Sequence, residues 1–204
     1  PIESGWPTRM TNRAVRGLEL LNADTSISFD EFSAIKHDNA YSPRYRGYAY
    51  LSAVAELEPD GPEEAQALSL IRNWDLHTDT ANRSAALGVC ILLEEWQAER
   101  TGNALPDGRE TLHTCIDSVR DVAGQLDPEW GTVQQHGRGQ RTWPAAGGPD
   151  TLRAMYAEQL EDEDDFLTVV AGDGLYYLIE WNAKGEQTIR GTHQYGSQMT
   201  DESS

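Results

Sequence analysis

Residues 166–181 read FLTVVAGDGLYYLIEW, and this stretch decides the fold class. Both halves are rich in the β-branched and aromatic residues that strands favour, and the Gly-Asp-Gly between them is typical of a turn. We therefore predict two antiparallel strands joined by this turn. A second turn at Lys184-Gly185 leads into QTIRGTHQYG, which we predict to be a third strand. GLYYLIEW has little polar and apolar alternation, which predicts burial on both faces, and so short a chain then needs a partner to cover one face.

The residues that precede this stretch read as helices. TNRAVRGLELLN has apolar residues at helical spacing and places Val15, Leu18 and Leu21 on one face. Ser28 and Glu31 form a capping box, which predicts the start of a second helix. YRGYAYLSAVAEL predicts a further helix, and ANRSAALGVCILLEEWQAER with RETLHTCIDSVRDVAGQL predicts a helical hairpin.

Helices followed by an antiparallel sheet make this an α+β protein. The change in character falls after residue 126. We therefore divide the chain into a helical region, 1–126, and a strand-rich region, 127–204.

The charge balance excludes several classes of partner. The 204 residues include 34 acidic and 16 basic side chains, which gives a net charge of -18, and Lys36 and Lys184 are the two lysines. Nucleic acids and anionic lipids are bound by clusters of Lys and Arg, so we predict neither as a partner. No apolar run approaches the length of a membrane span, and we predict no membrane insertion. A strongly acidic surface of this kind is typical of a salt-adapted protein.

The glycine pair in RTWPAAGGPDTLRAMY, residues 141–156, suggests a phosphate-binding loop. The stretch lacks the spacing of the common phosphate-binding motifs, and the carboxylate of Asp150 would repel an anion. We therefore favour a structural turn at Gly147 and Gly148, with Asp150 as the cap of a short helix over TLRAMY.

Two clusters of acidic residues lack the spacing of a metal site. Asp75, His77 and Asp79 lie at a helix boundary, where Asp and Thr serve as caps. The run EDEDD at 161–165 lacks EF-hand spacing and is interpreted as a solvated connection. We predict no metal and no cofactor.

The two cysteines lie in the predicted helical hairpin. Cys90 and Cys115 each occupy an apolar helical face, and antiparallel packing would bring them to similar heights. A disulfide formed in an oxidising compartment and two free buried thiols fit this pattern equally well.

Five stretches, in this order, carry a family resemblance across almost the whole chain: RMTNRAVRGLELL, SFDEFSAIKHDNAYSPR, LIRNWDLHTDTANRSAAL, DPEWGTVQQHGRGQRTWPAAGGPDTLRAMY and TVVAGDGLYYLIEWNAKGEQTIRGTHQYGSQ. They resemble the later part of the large subunit of the penicillin acylase family. Within that family the chain is most similar to the branch of N-acyl-homoserine lactone and aculeacin acylases. The resemblance implies a large-subunit fragment whose strands complete the αββα sandwich of an N-terminal nucleophile hydrolase together with missing segments.

The resemblance also implies a reaction. Family precursors cut themselves, and the new terminal Ser attacks an amide carbonyl while its own α-amine acts as base. A backbone N–H and an Asn side chain hold the oxyanion, and an apolar pocket holds the acyl chain. The implied substrates are small N-acyl molecules: acyl-homoserine lactones, lipopeptides or penicillins. Such enzymes are exported, which implies a periplasmic or secreted protein.

The first residues depart from that pattern. Pro1 has no hydroxyl, and Ser4 is internal, so neither supplies a nucleophile beside a free primary amine. We expect the nucleophile on another segment and expect the isolated chain to be inactive. The implied partners are the small subunit and the Ser-bearing part of the large subunit.

One supporting catalytic residue follows from the resemblance. Arg13 in RAVRGLELL aligns with the family arginine that lies near the nucleophile and orients it, with Arg9 and Arg16 as alternative registers. A solvated or ion-paired helix arginine fits the sequence equally well. Some members hold calcium through an acid a few residues upstream, for which Glu3 is the available residue, and we favour no calcium site.

Two functions of other classes also fit the sequence. One is a non-catalytic acidic binding or interaction module that keeps the acyl pocket. The other is an acidic helical interaction domain unrelated to acylases. A Ser at a self-cleavage point upstream, followed by an Asn shortly before Pro1, would favour the enzyme.

Overall fold

A computed structural model describes residues 10–138, 141–160 and 164–193. The helices in these ranges are α1 (Asn12–Asn22), α2 (Phe29–Lys36), α3 (Gly47–Ala55), α4 (Pro62–Arg72), α5 (Ala85–Thr101), α6 (Gly108–Ala123) and α7 (Trp130–Val133). The strands are β1 (Gln134–Arg138), β2 (Arg141–Pro144), β3 (Met155–Glu158), β4 (Leu167–Gly172), β5 (Leu175–Trp181) and β6 (Gln187–His193). Helices followed by strands confirm the α+β class predicted from the sequence.

The helix starts follow local sequence signals. The capping box predicted for α2 is present: the Ser28 hydroxyl accepts from the Glu31 N–H, and the Glu31 carboxylate accepts from the Ser28 N–H. Pro62 opens α4, where its missing N–H costs nothing. The Asp107 carboxylate caps α6 by accepting from the Arg109 and Glu110 N–H groups.

The core of the described chain surrounds α5, which packs against α3, α4 and α6. Leu87 and Ile91 on this helix are fully buried. The ring of Trp74 packs against α5 at Gly88, where a Cβ would lie 2.1 Å from a ring carbon. The close approach of this helix to Trp74 therefore depends on a glycine.

A disulfide joins Cys90 of α5 to Cys115 of α6, with their Cα atoms 5.7 Å apart. Cys115 is fully buried. The structure thus decides between the two states that the sequence left open, in favour of the disulfide.

The strands form two sheets. The first has the order β2-β1-β4-β3, and the second is the hairpin β5-β6. Three pairings are antiparallel, but β1 and β4 pair in parallel, through Gln134 with Leu167 and Gln135 with Thr168. The sequence predicted an antiparallel sheet, whereas the first sheet is mixed because of this one parallel pairing.

The predicted hairpin between β4 and β5 is wrong, because these strands belong to different sheets. Gly172 has a φ of +151°, which glycine adopts readily, and the chain turns away there. The turn is held by two contacts: the Asp173 N–H donates to the Ala154 carbonyl at 3.0 Å, and the Asp173 carboxylate accepts from Lys36 Nζ at 2.5 Å. The predicted hairpin across Lys184-Gly185, in contrast, is confirmed as β5-β6.

Burial of GLYYLIEW on both faces is also wrong within the described residues. Leu178 is buried, but Tyr177 and Trp181 are 60% and 58% exposed, and Ile179 faces Ile189 on the same open surface. One face of the hairpin thus lies towards α2 and the other is uncovered. We call the uncovered set the hairpin face; its members are Leu175, Tyr177, Ile179, Trp181 and Ile189.

Helix α1 also exposes apolar residues. Leu18 is 50% exposed and Leu21 is 40% exposed, although the helical pattern places them on one face with Val15. Among the described helices, none is long and apolar enough to span a membrane.

Candidate functional site

The first turn of α1 carries Arg13, and distant residues hold this turn in place. The Thr11 hydroxyl accepts from the Ala14 N–H at 3.4 Å, as expected of an N-cap. The Asp150 carboxylate accepts from the Asn12 N–H at 2.7 Å. A carboxylate 138 residues away therefore satisfies an N–H group that has no partner within the helix.

Asn12 is the second anchor of α1, and it is 0% exposed. Its amide nitrogen donates to the carbonyls of Ala40, at 3.3 Å, and of Asp150, at 3.0 Å. Its amide oxygen accepts from the Ser42 N–H at 2.8 Å. One buried side chain thus ties α1 both to the segment after α2 and to the loop before β3.

That loop does not contain the predicted short helix. Asp150 has a φ of +58°, and residues 151–153 form a turn that leads into β3 at Met155. The Thr151 hydroxyl donates within this turn to the carbonyls of Gly148, at 3.0 Å, and Arg153, at 2.7 Å. The prediction that Asp150 caps a helix over TLRAMY is therefore wrong, because Asp150 caps α1 instead.

The glycine turn before Asp150 has a packing reason. Gly147 has a φ of +98°, and a Cβ there would lie 2.1 Å from the Arg153 carbonyl oxygen. A side chain at this position would force the loop away from the turn at 151–153.

Burial dominates the electrostatics around Asp150, which is 6% exposed. Burial raises the pKa of Asp150, while the Asn12 N–H and the positive charge of Arg13 act in the opposite direction. The Tyr41 hydroxyl donates to the Pro149 carbonyl at 2.6 Å, and burial followed by the nearby Asp150 charge raises the Tyr41 pKa well above its ordinary value. Tyr156 completes the surroundings, since its hydroxyl accepts from the Asp150 N–H at 3.4 Å.

The arginines proposed from the sequence differ in their surroundings. Arg13 is exposed on the first turn of α1, where its charge acts on Asp150. Arg16 makes a two-pronged ion pair with Asp38, with bonds of 3.0 and 2.8 Å, which raises the Arg16 pKa. Arg16 therefore anchors α1 to the segment after α2. Arg9 lies outside the described residues, as do Glu3, Ser4 and Pro1.

Two open grooves flank α1 and share Met10, Val15 and Arg44 in their walls. One has a volume of about 670 Å³ and includes Leu18. The other, about 890 Å³, lies against α3 and α5 and is lined mainly by apolar side chains such as Leu105. Exposed apolar walls of this kind are typical of surfaces that another polypeptide or a ligand covers.

The acidic side chains near residue 77 accept hydrogen bonds from protein N–H groups. Asp75 accepts from the His77 N–H at 3.0 Å and from the Asn82 amide at 2.8 Å, while Asp79 accepts from the Asn39 amide at 2.8 Å. Within the described ranges, no group of three or more His, Cys, Asp or Glu side chains is placed to hold a metal ion. The run at 161–165 lies partly outside those ranges.

Sequence reasoning missed Asn12 and the true partner of Asp150. Their bonds join residues 28 to 138 positions apart, and no periodic pattern encodes such pairs. The local signal was a polar Asn at the start of an apolar helical repeat.

One comparison with known proteins gives a match. The family model described as penicillin amidase matches residues 1–203. Comparison with curated proteins gives no match to this chain. The family match includes α1, the loop that carries Asp150 and both sheets.

Proposed function

Because this chain belongs to the penicillin amidase family, we propose that it is part of an amidohydrolase that cleaves the amide bond of N-acyl substrates. The family supports amide hydrolysis as the class of reaction. The observation that carries the proposal is the placement of Arg13. Arg13 projects from the start of α1, which the buried Asp150 carboxylate and the buried Asn12 amide hold in position. A residue that orients a reacting group requires a rigid support of this kind.

The proposed reaction is acyl transfer through a terminal Ser on another segment. The Ser hydroxyl attacks the amide carbonyl, its α-amine takes the hydroxyl proton, and the amine leaving group departs with a proton. Water then attacks the acyl ester and releases the carboxylic acid. Arg13 orients the nucleophile in this scheme, and its rigid guanidinium fork suits that role better than a lysine point charge.

The proposed substrates are N-acyl-homoserine lactones and related lipopeptides, with penicillins as the alternative within the family. The support is the resemblance of the five sequence stretches to that branch. Hydrolysis of acyl-homoserine lactones would make the enzyme a quorum-quenching acylase.

The proposed location is the periplasm or the outside of the cell. The Cys90–Cys115 disulfide supports it, because stable disulfides form in oxidising compartments and are rare in the cytosol.

The proposed partners are the small subunit and the Ser-bearing part of the large subunit. Two apolar surfaces that the described residues leave uncovered support this: the hairpin face and the exposed side of α1 at Leu18 and Leu21. Monomeric proteins rarely leave such surfaces open to water.

The test is to assemble the chain with the small subunit and the Ser-bearing segment of the parent protein, and to measure release of fatty acid from N-acyl-homoserine lactones and of side-chain acid from penicillins. We expect turnover in the assembly and none from the 204-residue chain alone. Arg13→Lys should lower kcat about tenfold or more, since a lysine point charge cannot reproduce the fixed fork of the guanidinium donors. The matched control is Arg120→Lys, since Arg120 is an exposed arginine of α6 that pairs with Glu63 of α4.

Three results would contradict the proposal. Turnover by the pure, monomeric 204-residue chain would place the chemistry on residues within it. A kcat for Arg13→Lys within about twofold of the parent value would make Arg13 an ordinary surface residue. An assembly that binds N-acyl ligands without cleaving them would favour the non-catalytic binding module.

A further inference from the structure

We propose that Asp150 is a positioning residue of the acylase: its carboxylate fixes the first turn of α1 and thereby sets the direction of the Arg13 side chain. This inference rests on the proposed function for its catalytic consequence. The anchoring itself is a property of the described chain and is tested separately.

The first argument is geometric. The Asn12 N–H has no partner within α1 and donates to the Asp150 carboxylate at 2.7 Å, and the Asn12 side-chain amide donates to the Asp150 carbonyl at 3.0 Å. The Ala14 N–H is satisfied by the Thr11 hydroxyl. The helix start is therefore held from outside the helix at the residue directly before Arg13.

The second argument is the cost of the arrangement. Asp150 holds a φ of +58°, which is uncommon for a residue with a side chain, and places a carboxylate where it is 6% exposed. A surface N-cap such as Asp107, which caps α6 from an exposed position, achieves helix capping without either cost. Capping alone therefore does not explain why a buried residue from a distant loop is used.

The third argument is that the loop carrying Asp150 is itself fixed. Pro149 accepts from Tyr41, and the Asp150 carbonyl accepts from the buried amide of Asn12. Gly147 allows the loop to lie against the Arg153 carbonyl. A movement of this loop would therefore pull on both anchors of α1, and Arg13 would follow.

The experiment uses two variants that preserve the backbone. Asp150→Asn keeps the shape of the side chain and tolerates a positive φ, and Asp150→Gly removes the side chain at a φ that glycine accepts. Asp107→Asn is the matched control, since it neutralises a capping carboxylate on a helix that does not carry Arg13. The first measurement is amide hydrogen exchange of residues 12 and 13 in the full 204-residue chain.

We expect exchange at the Asn12 amide to become about tenfold faster or more in Asp150→Gly, with a smaller increase in Asp150→Asn, because a charge-assisted hydrogen bond is lost or weakened. Exchange at the Arg13 amide should also become faster, because the first turn of α1 loosens. The Asp107→Asn control should leave both amides unchanged. Unchanged exchange at residues 12 and 13 in Asp150→Gly would overturn the anchoring.

The second measurement is kinetic and is made on the assembled acylase. In the parent enzyme, Asp150→Asn should lower kcat with little change in KM. In the Arg13→Gln background, adding Asp150→Asn should change kcat by less than about twofold. Effects of Asp150→Asn and Arg13→Gln that multiply would show that Asp150 does not act through Arg13, and would overturn the positioning role. If the parent assembly lacks activity, the proposed function fails while the exchange result still decides the anchoring.

Discussion

Opening the Cys90–Cys115 disulfide should lower the free energy of unfolding by about 3.5 kcal/mol. The two cysteines are separated by 25 positions, which span part of α5, the turn after it and part of α6. Closing a loop of that length removes roughly 12 cal/mol/K of entropy from the unfolded chain, which amounts to about 3.5 kcal/mol at 25 °C. Because α5 and α6 pack directly against each other, we expect the folded structure to change little.

The assay is urea unfolding, followed by tryptophan fluorescence and by far-UV circular dichroism. The oxidised chain is compared with the reduced chain and with the Cys90→Ala/Cys115→Ala variant. For a chain of this size the thermal midpoint should fall by roughly 7–14 °C, at about 2–4 °C for each kcal/mol. The reductant should have no effect on the double variant, which serves as the control for non-specific effects.

A loss below about 1 kcal/mol would refute this reasoning. It would mean that α5 and α6 stay close in the denatured chain, so that the covalent link removes little freedom there. A loss accompanied by changed native spectra would instead show that the bond shapes the folded core around Cys115.

Three further predictions concern the core, pH and salt. Gly88→Ala should destabilise the fold by about 1–3 kcal/mol despite the higher helix propensity of Ala, because the new Cβ would meet Trp74; urea unfolding that shows a gain in stability would contradict the packing seen there. The pKa of Glu64 is lowered to about 2, first by the Asp60 N–H and then by His113, so its contribution to stability is present above pH 4.5 and is lost as the pH falls towards 2. Glu64→Gln should therefore lower the free energy of unfolding at pH 6 and change it little at pH 2. Equal losses at the two pH values would contradict this prediction. With a net charge of -18, the thermal midpoint should rise with NaCl and rise less with sucrose of equal osmolarity; a flat or falling midpoint in NaCl would mean that self-repulsion is not limiting.

Features with a short-range cause were predictable from the sequence. The start of α2 depends on Ser28 and Glu31, three positions apart, and the capping box is present. The β5-β6 hairpin depends on the turn at Lys184-Gly185, and its strands pair in register. In both cases the residues that decide the structure are sequence neighbours, so their chemistry is visible in a short window.

Features set by distant contacts were not predictable in the same way. TLRAMY has a helical pattern, but Asp150 bonds to Asn12 and the Thr151 hydroxyl bonds within a turn. The chain after β4 turns away because Asp173 is held by Lys36, 137 positions earlier. The arrangement of the candidate site therefore required the structure, whereas Arg13 was proposed from the family resemblance and stays a prediction.

Contacts with α2 and the residue after it hold the hairpin from one side, and the described part of the chain leaves the hairpin face on the other side uncovered. Asp30 of α2 pairs with Arg190 of the hairpin, and His37, which directly follows α2, is hydrogen-bonded through Nε2 to the Tyr176 hydroxyl at 2.5 Å. The Arg190–Asp30 pair is largely exposed, and such pairs contribute less than about 1 kcal/mol. A two-stranded hairpin is marginal by itself in water, so these contacts orient it without supplying the burial that a stable sheet requires. The apolar hairpin face is the surface that can supply this burial, and a further sheet or subunit placed on it would stabilise the hairpin and complete the sandwich that the proposed acylase needs.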